Sequence, residues 1–179
     1  SNLAAVYRAS GQTEMAIVYQ QQAIKSGQSV VSTELTCELS NRACDAILAG
    51  DFYLAENLLK RSLALEQLRQ SLDGQACDLG NLGVVAGLRG AYSIGIQYFW
   101  AAYELHEQMA DQHGIATDLI NISQLFGKLM EWQTAVKCLR HAIRRLESIT
   151  AAVTLERATY LLEEAVNAEQ LHGHDPQLN

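Results

Sequence analysis

One spacing governs what this chain can fold into: a pattern of small and large residues that returns every 40 positions. Gly11, Gly50 and Gly90 stand 39 and 40 residues apart, and Met130 holds the next place in the series. Five residues beyond each come Ala16, Ala55, Gly95 and Ala135, all small. Two residues beyond the last three come Phe52, Tyr92 and Trp132, all aromatic. Twelve residues beyond come Ala23, Ser62, Ala102 and Ala142, each followed by a large residue, Ile24, Leu63, Tyr103 or Ile143. Upstream, Ala4, Ala43, Gly83 and Ser123 sit seven residues before the turns, and Tyr7, Ala46, Ala86 and Phe126 four before. Chance does not align so many small and large positions across four windows. A period of this length marks an array of stacked units.

Each repeat reads as two helices around a tight turn. In the third, Leu79, Leu82, Gly83 and Ala86 fall at i, i+3, i+4 and i+7, one helical stripe. Gly90 can take the left-handed conformation that ends a helix. The stretch 92–109 then places Gly95, Phe99, Ala102 and Tyr103 on one face. Small residues let the two helices approach, and large ones fill the space to the next pair. No pair can bury its face alone, so the pairs must stack. A single proline among 179 residues suits helix, and no stretch alternates with the period of a strand.

The predicted helices span 2–10, 14–25, 32–49, 53–70, 75–89, 92–109, 115–130, 133–148 and 151–172. The fold class is all-α: an α-solenoid of stacked antiparallel helix pairs. Four repeats are expected at about 1–28, 29–70, 71–110 and 111–148, closed by a C-terminal capping helix at 151–172. Residues 1–172 form a single repeat domain in this reading, and 173–179 a frayed tail. Polar linkers such as Asp111-Gln112-His113-Gly114 separate the repeats. Glu156, Arg157, Glu163 and Glu164 supply the polar side of the cap. The pattern is already running at Ser1, which reads as a fragment of a longer chain with flanking domains.

Composition narrows the function. The net charge of −7 argues against non-specific nucleic-acid binding. No apolar run approaches the ~20 residues of a membrane span. Cys37, Cys44, Cys77 and Cys138 form no close pairing motif, which fits a reduced, cytoplasmic protein. No phosphate-binding loop, nucleophile elbow or zinc-protease helix occurs, so no enzyme and no cofactor is expected. His106 and His113 share a helix side only if a helix runs through 111–114, and His172 and His174 lie in the tail. Neither pair is taken as a metal site.

Leu82-Gly83, Ala86, Gly90, Tyr92, Gly95, Phe99 and Ala102, with their counterparts in the other windows, resemble the tetratricopeptide repeat family. The 40-residue period and the string Gly80-Asn81-Leu82-Gly83 are similar to its longer-helix subclass, seen in kinesin light chain and in the Leu-Gly-Asn repeat proteins of spindle orientation. Met130 at a turn, Gly95 for alanine and Arg42 for leucine depart from the pattern. The resemblance implies a right-handed superhelix whose first helices line a concave groove.

Asn2, Asn41, Asn81 and Asn121 all lie nine residues before the turns. Stacked repeats place them in a ladder, and the resemblance implies that such a ladder holds an extended peptide. An amide suits that task because it both donates and accepts. A solvated inner face, or asparagines bonded to a neighbouring helix, are the alternatives. Leu48, Val84 and Leu88, with Ile47 and Ile120, form an apolar strip beside the ladder, and Gln124 and Lys128 continue the face in the fourth repeat. Glu38, Asp78 and Asp118 also recur at 40 and read as solvated charges. The expected function is a non-enzymatic scaffold that binds a peptide segment of a partner protein. A peptide-sensing repeat domain of a larger protein and a self-association module through Ile94, Tyr98 and Trp100 are the alternatives.

Overall fold

The computed structural model describes residues 15–19, 33–149 and 151–172, and every element among them is an α-helix. The expected helix at 2–10, most of that at 14–25, Asn2 and the tail at 173–179 lie outside the described residues. Residues 15–19 are helical, with Ala16 and Ile17 buried. The longer helices are α1 (Thr33–Leu48), α2 (Phe52–Arg69), α3 (Leu72–Leu88), α4 (Tyr92–Met109), α5 (Gln112–Lys128), α6 (Trp132–Glu147) and α7 (Ala152–His172). The chain forms two compact units, 1–74 and 75–179.

In the first unit α1 and α2 make an antiparallel pair. Leu35, Leu39, Ala43 and Ala46 of α1 are buried, as are Ala55, Leu58, Leu59 and Leu65 of α2. Each buried leucine contributes about 1.5–3 kcal/mol. Small polar residues sit where the helices come nearest. The hydroxyls of Ser40 and Ser62 lie 3.1 Å apart, and Ser62 Oγ donates to the Thr36 carbonyl at 3.4 Å. Arg69 closes the pair. Its guanidinium donates to both oxygens of the buried Glu66 at 2.8 and 2.7 Å and to Thr33 Oγ1 at 2.7 Å.

In the second unit α4 packs on α5, α5 on α6 and α6 on α7. Phe99, Ile115, Leu119, Ile120, Ile122, Leu139, Leu146, Ala158 and Ala165 belong to one buried core. The small residues mark the closest approaches. A Cβ on Gly83 would strike the Phe99 ring, and one on Gly95 would lie 2.7 Å from Leu125 Cδ1 and 3.0 Å from the Gly83 carbonyl oxygen.

The turns within repeats share one geometry. At Gly50 and Gly90 φ is +77°, and at Met130 it is +61°. The N–H groups of Asp51, Ala91 and Glu131 donate to the carbonyls of Ala46, Ala86 and Phe126, each at 2.9 Å. Met130 therefore makes the same left-handed helix stop as the glycines it replaces.

Three sequence readings are corrected. Helices α3 and α5 begin three residues earlier than expected, at Leu72 and Gln112. Gln70 and Ala110 take left-handed φ of 57° and 55°, ending the preceding helices at once. Asp111 Oδ1 then caps α5 by accepting from His113 N–H at 3.1 Å. The expected linker 111–114 is thus an N-cap and the first helical turn. Asp78 and Asp118 are not solvated but buried, and Glu38 is half-buried. Ile120 is core rather than groove, and Ile47 is half-buried.

The C-terminal helix behaves as a cap. Ala158 and Ala165 are buried against the core, and Leu155, Leu161, Leu162 and Val166 pack on it. Glu156, Arg157, Glu163 and Glu164 are all exposed. Leu119, Ser123 and Phe126 of α5 have Thr159, Glu163 and Val166 forty residues on, so the corresponding side of α7 is largely polar.

Candidate functional site

A cleft of ≈ 860 Å³ opens in the second unit. Its size falls within the range of ligand sites, about 300–1,000 Å³. Three helices form its walls. Gly83, Val84, Gly87 and Leu88 come from α3; Asn121, Gln124, Leu125 and Lys128 from α5; Leu161, Glu164, Ala165 and Ala168 from α7. The second helices of the pairs supply Tyr92, Phe99, Trp132, Ala135 and Leu139. Helical spacing explains the walls: on α5 the lining residues recur at i, i+3, i+4 and i+7, and on α3 they form two adjacent pairs one turn apart.

Missing side chains shape the interior. Gly87 and Gly127 are register counterparts, and both line the cleft. A Cβ on Gly87 would meet Leu125 Cδ2 at 3.1 Å, and one on Gly127 would meet the Trp132 ring at 3.1 Å. The glycines thus admit Leu125 and the Trp132 indole against the helix backbones.

The polar groups are few. Asn121 and Gln124 are half-buried amides, able to donate and accept. The Ser123 hydroxyl is already used, donating to the Ile120 carbonyl at 2.6 Å. Lys128 on α5 and Glu164 on α7 are both exposed, placing one charge of each sign on two walls. Glu164 Oε1 also accepts from the Tyr160 hydroxyl at 2.8 Å, and that bond holds the phenol above its ordinary pKa. Such a lining suits an apolar side chain bounded by a hydrogen-bonding backbone and charges of either sign.

Of the residues singled out from the sequence, Asn121, Gln124, Lys128, Val84 and Leu88 line this cleft. Asn81 lies one turn before Val84 on α3 but not in the lining; its amide faces Cys77 Sγ at 3.8 Å, a weak contact within the helix. Asn41 and Leu48 belong to the first unit. Asn41 is exposed in a shallow depression of ≈ 510 Å³ with Glu34, Cys37, Glu38, Arg42 and Asp45, and Leu48 is 87% exposed at the end of α1. Asn2 lies outside the described residues.

Sequence reasoning missed the aromatic floor and the third wall. Tyr92 and Trp132 recur two residues after their turns, but the repeat pattern alone does not show that they face a cleft. Leu161, Glu164 and Ala168 stand 40 residues after Asn121, Gln124 and Lys128. Carrying the register one step further onto α7 is the signal that finds them.

A second constellation holds α4 to α5. His106 Nδ1 hydrogen-bonds Asp118 Oδ2 at 2.7 Å, and His106 Nε2 lies 3.9 Å from Asp111 Oδ2. Burial pushes the Asp118 carboxyl above the ordinary range, opposed by the hydrogen bond and charge of His106. A Cβ on Gly114 would collide with both His106 and Asp111, just as one on Gly74 would collide with Glu66, forty residues before His106. These glycines admit a polar side chain from the preceding helix. Among the described residues no three of His, Cys, Asp and Glu gather as a metal set, and no helix is long and apolar enough to cross a membrane.

No protein-family model matches the chain, and comparison with curated proteins finds no match. Solved structures do match. The apo form of RapI aligns with a TM-score of 0.72 and 15% identity over 95% of this chain, which spans 62% of RapI. The nearly identical TPR-like repeats of a putative kinesin light chain from Podosopora anserina give 0.67 and 13% identity, covering 95% of this chain and 84% of that one. BtubC (BKLC) from P. vanneervenii gives 0.62 and 15% identity, covering 96% and 79%. At such identities the likeness is one of fold, and the fold is that of TPR-like repeat proteins.

Proposed function

We propose that this chain is a non-enzymatic protein–protein interaction scaffold that binds a segment of a partner protein in the cleft between α3, α5 and α7. The repeat fold supports the general role. The cleft carries the particular one: half-buried amides at Asn121 and Gln124 stand beside an apolar floor that includes Trp132. The bound segment inserts an aliphatic or aromatic side chain between the glycines of α3 and α5. Asn121 and Gln124 bond its backbone, and Lys128 and Glu164 select charges beside the anchor. Asn81 extends the same side of α3 by one turn, and Asn41 with Leu48 offers a separate contact in the first unit.

A peptide library selected on the wild-type chain tests this, with Trp132 emission as a readout inside the cleft. Selected peptides should shift that emission and bind at least about tenfold more weakly to Asn121→Ala/Gln124→Ala, a loss of about 1.4 kcal/mol or more. Folding of the variant is checked by circular dichroism. Equal binding to both chains would remove the cleft as the site.

A second reading, a peptide-sensing repeat domain within a longer protein, is favoured by the match to RapI, of which the chain spans 62%. Attachment of an output domain whose activity changes when the cleft is filled would distinguish it.

A further inference from the structure

Helix α6 carries a concentration of charge that the rest of the fold does not use. Four of the chain's 13 lysines and arginines fall within 137–145. Arg145 is committed: its Nη2 donates to Glu107 Oε1 at 2.7 Å and its Nη1 to Gln112 Oε1 at 3.0 Å. Lys137, Arg140 and Arg144 are exposed and fall at i, i+3 and i+7, one stripe along the solvent side. None of the three has a carboxylate within ion-pair distance among the described residues. Their register counterparts on α4 are Gln97, Trp100 and Glu104, and on α2 Asn57, Lys60 and Ala64, where Lys60 is paired with Glu56 at 2.6 Å. Like charges at i, i+3 and i+4 destabilise a helix. Among the described helices, only that of the fourth repeat keeps such a stripe uncompensated.

The stripe has an aromatic edge. Trp100 on α4 is 38% exposed and packs edge-to-face on Tyr103 at 5.2 Å, and Tyr103 in turn faces His141 at 6.5 Å. Arg145 Nε donates to His141 Nε2 at 3.2 Å, so the imidazole is neutral in this arrangement. Burial, then the charges of Arg145 and Arg144, hold its pKa below the ordinary value, while Glu107 opposes them. Lys137, Arg140 and Arg144 lie on the far side of α6 from Ala135 and Leu139, which line the cleft.

We propose that the solvent face of α6, with Trp100 at its edge, is a second docking surface, and that it takes a short acidic segment of a partner protein. Carboxylates at helical spacing match three cations at i, i+3 and i+7, and an apolar residue beside them covers the Trp100 ring. The charge balance selects this occupant over a polyanion. The stripe spans about 10 Å at 1.5 Å per residue. A nucleic acid or an anionic membrane extends well beyond it and meets a chain whose net charge is −7. Two copies of this acidic chain repel for the same reason.

The probe is a fluorescein-labelled helical peptide with glutamates at i, i+3 and i+7 and one leucine between them, read by anisotropy. The wild-type chain should bind it, roughly tenfold more weakly on raising salt from about 50 to 300 mM. Lys137→Gln/Arg140→Gln/Arg144→Gln, folded by circular dichroism, should lose at least about tenfold in affinity. Asn121→Ala/Gln124→Ala should bind it unchanged, which separates this surface from the cleft. No binding by the wild type, equal binding of a glutamine version of the peptide, or no effect of the triple variant would overturn the proposal. So would tighter binding of duplex DNA or phosphatidylserine vesicles, or a dimer in sedimentation that the triple variant dissolves.

Discussion

Met130 occupies a conformation that costs a non-glycine residue about 1–2 kcal/mol. Its φ of +61° repeats the +77° of Gly50 and Gly90, and its side chain is 57% exposed, so little burial offsets the cost. Met130→Gly should therefore raise stability by roughly 0.5–1 kcal/mol, read as a higher midpoint in urea or heat. A lower midpoint would mean that the methionine side chain contributes more than its exposure indicates. Gly95 shows the opposite case. Alanine stands at its counterparts Ala55 and Ala135, yet here a Cβ would press on Leu125 and on the Gly83 backbone. The turns at Gly50, Gly90 and Met130 were legible because spacing alone reveals them. Which small residue had to be glycine was not, since that depends on Leu125, thirty positions away in sequence. Gln70 and Ala110 were equally silent: nothing in a glutamine or an alanine announces a left-handed stop.

At the scale of elements, periodicity made the helices readable and hid their polar joints. The stripe on 115–130 marked α5 but said nothing of how its first turn meets α4. That joint is Asp118 with His106, and its titration has a definite sign. The folded carboxyl lies above the unfolded value of 3.8 because burial outweighs the hydrogen bond. The folded chain thus holds the proton more tightly than the unfolded one. The contribution of Asp118 is fully present below the unfolded value and is lost as pH rises through the raised folded value. Asp118→Asn has no such loss. The melting temperature of the variant minus that of the wild type should therefore climb from about pH 3 to pH 6. A difference that falls over this range would show that His106 outweighs burial. The same blindness affected the cleft: periodicity placed Asn121, Gln124, Lys128, Val84 and Leu88 on faces, but only packing shows which faces meet.

At the scale of the whole molecule, α7 has two tasks, and they can be separated. It closes the second unit by burying Ala158 and Ala165, and it supplies the third wall of the cleft through Leu161, Glu164, Ala165 and Ala168. Its packing runs mainly to α6 and in smaller part to α5. Stability in a stacked array is a sum of repeat and nearest-neighbour interface contributions. A chain ending at residue 150 should therefore lose protection where α7 leaves, not everywhere. Amide exchange should accelerate most in α6, less in α5, and remain near wild type in α1 and α2 of the first unit. Equal acceleration in α1 and α2 would show one cooperative fold instead of an additive array. A polar replacement inside the interface, Ala158→Asp, should reproduce the exchange pattern in the full chain, because an unpaired carboxylate in a dry contact costs several kcal/mol. Glu164→Gln should leave exchange unchanged, since that side chain is exposed, while altering which charges the selected peptides carry beside their anchor. Exchange altered by Glu164→Gln, or peptides indifferent to it, would assign α7 the closing role alone.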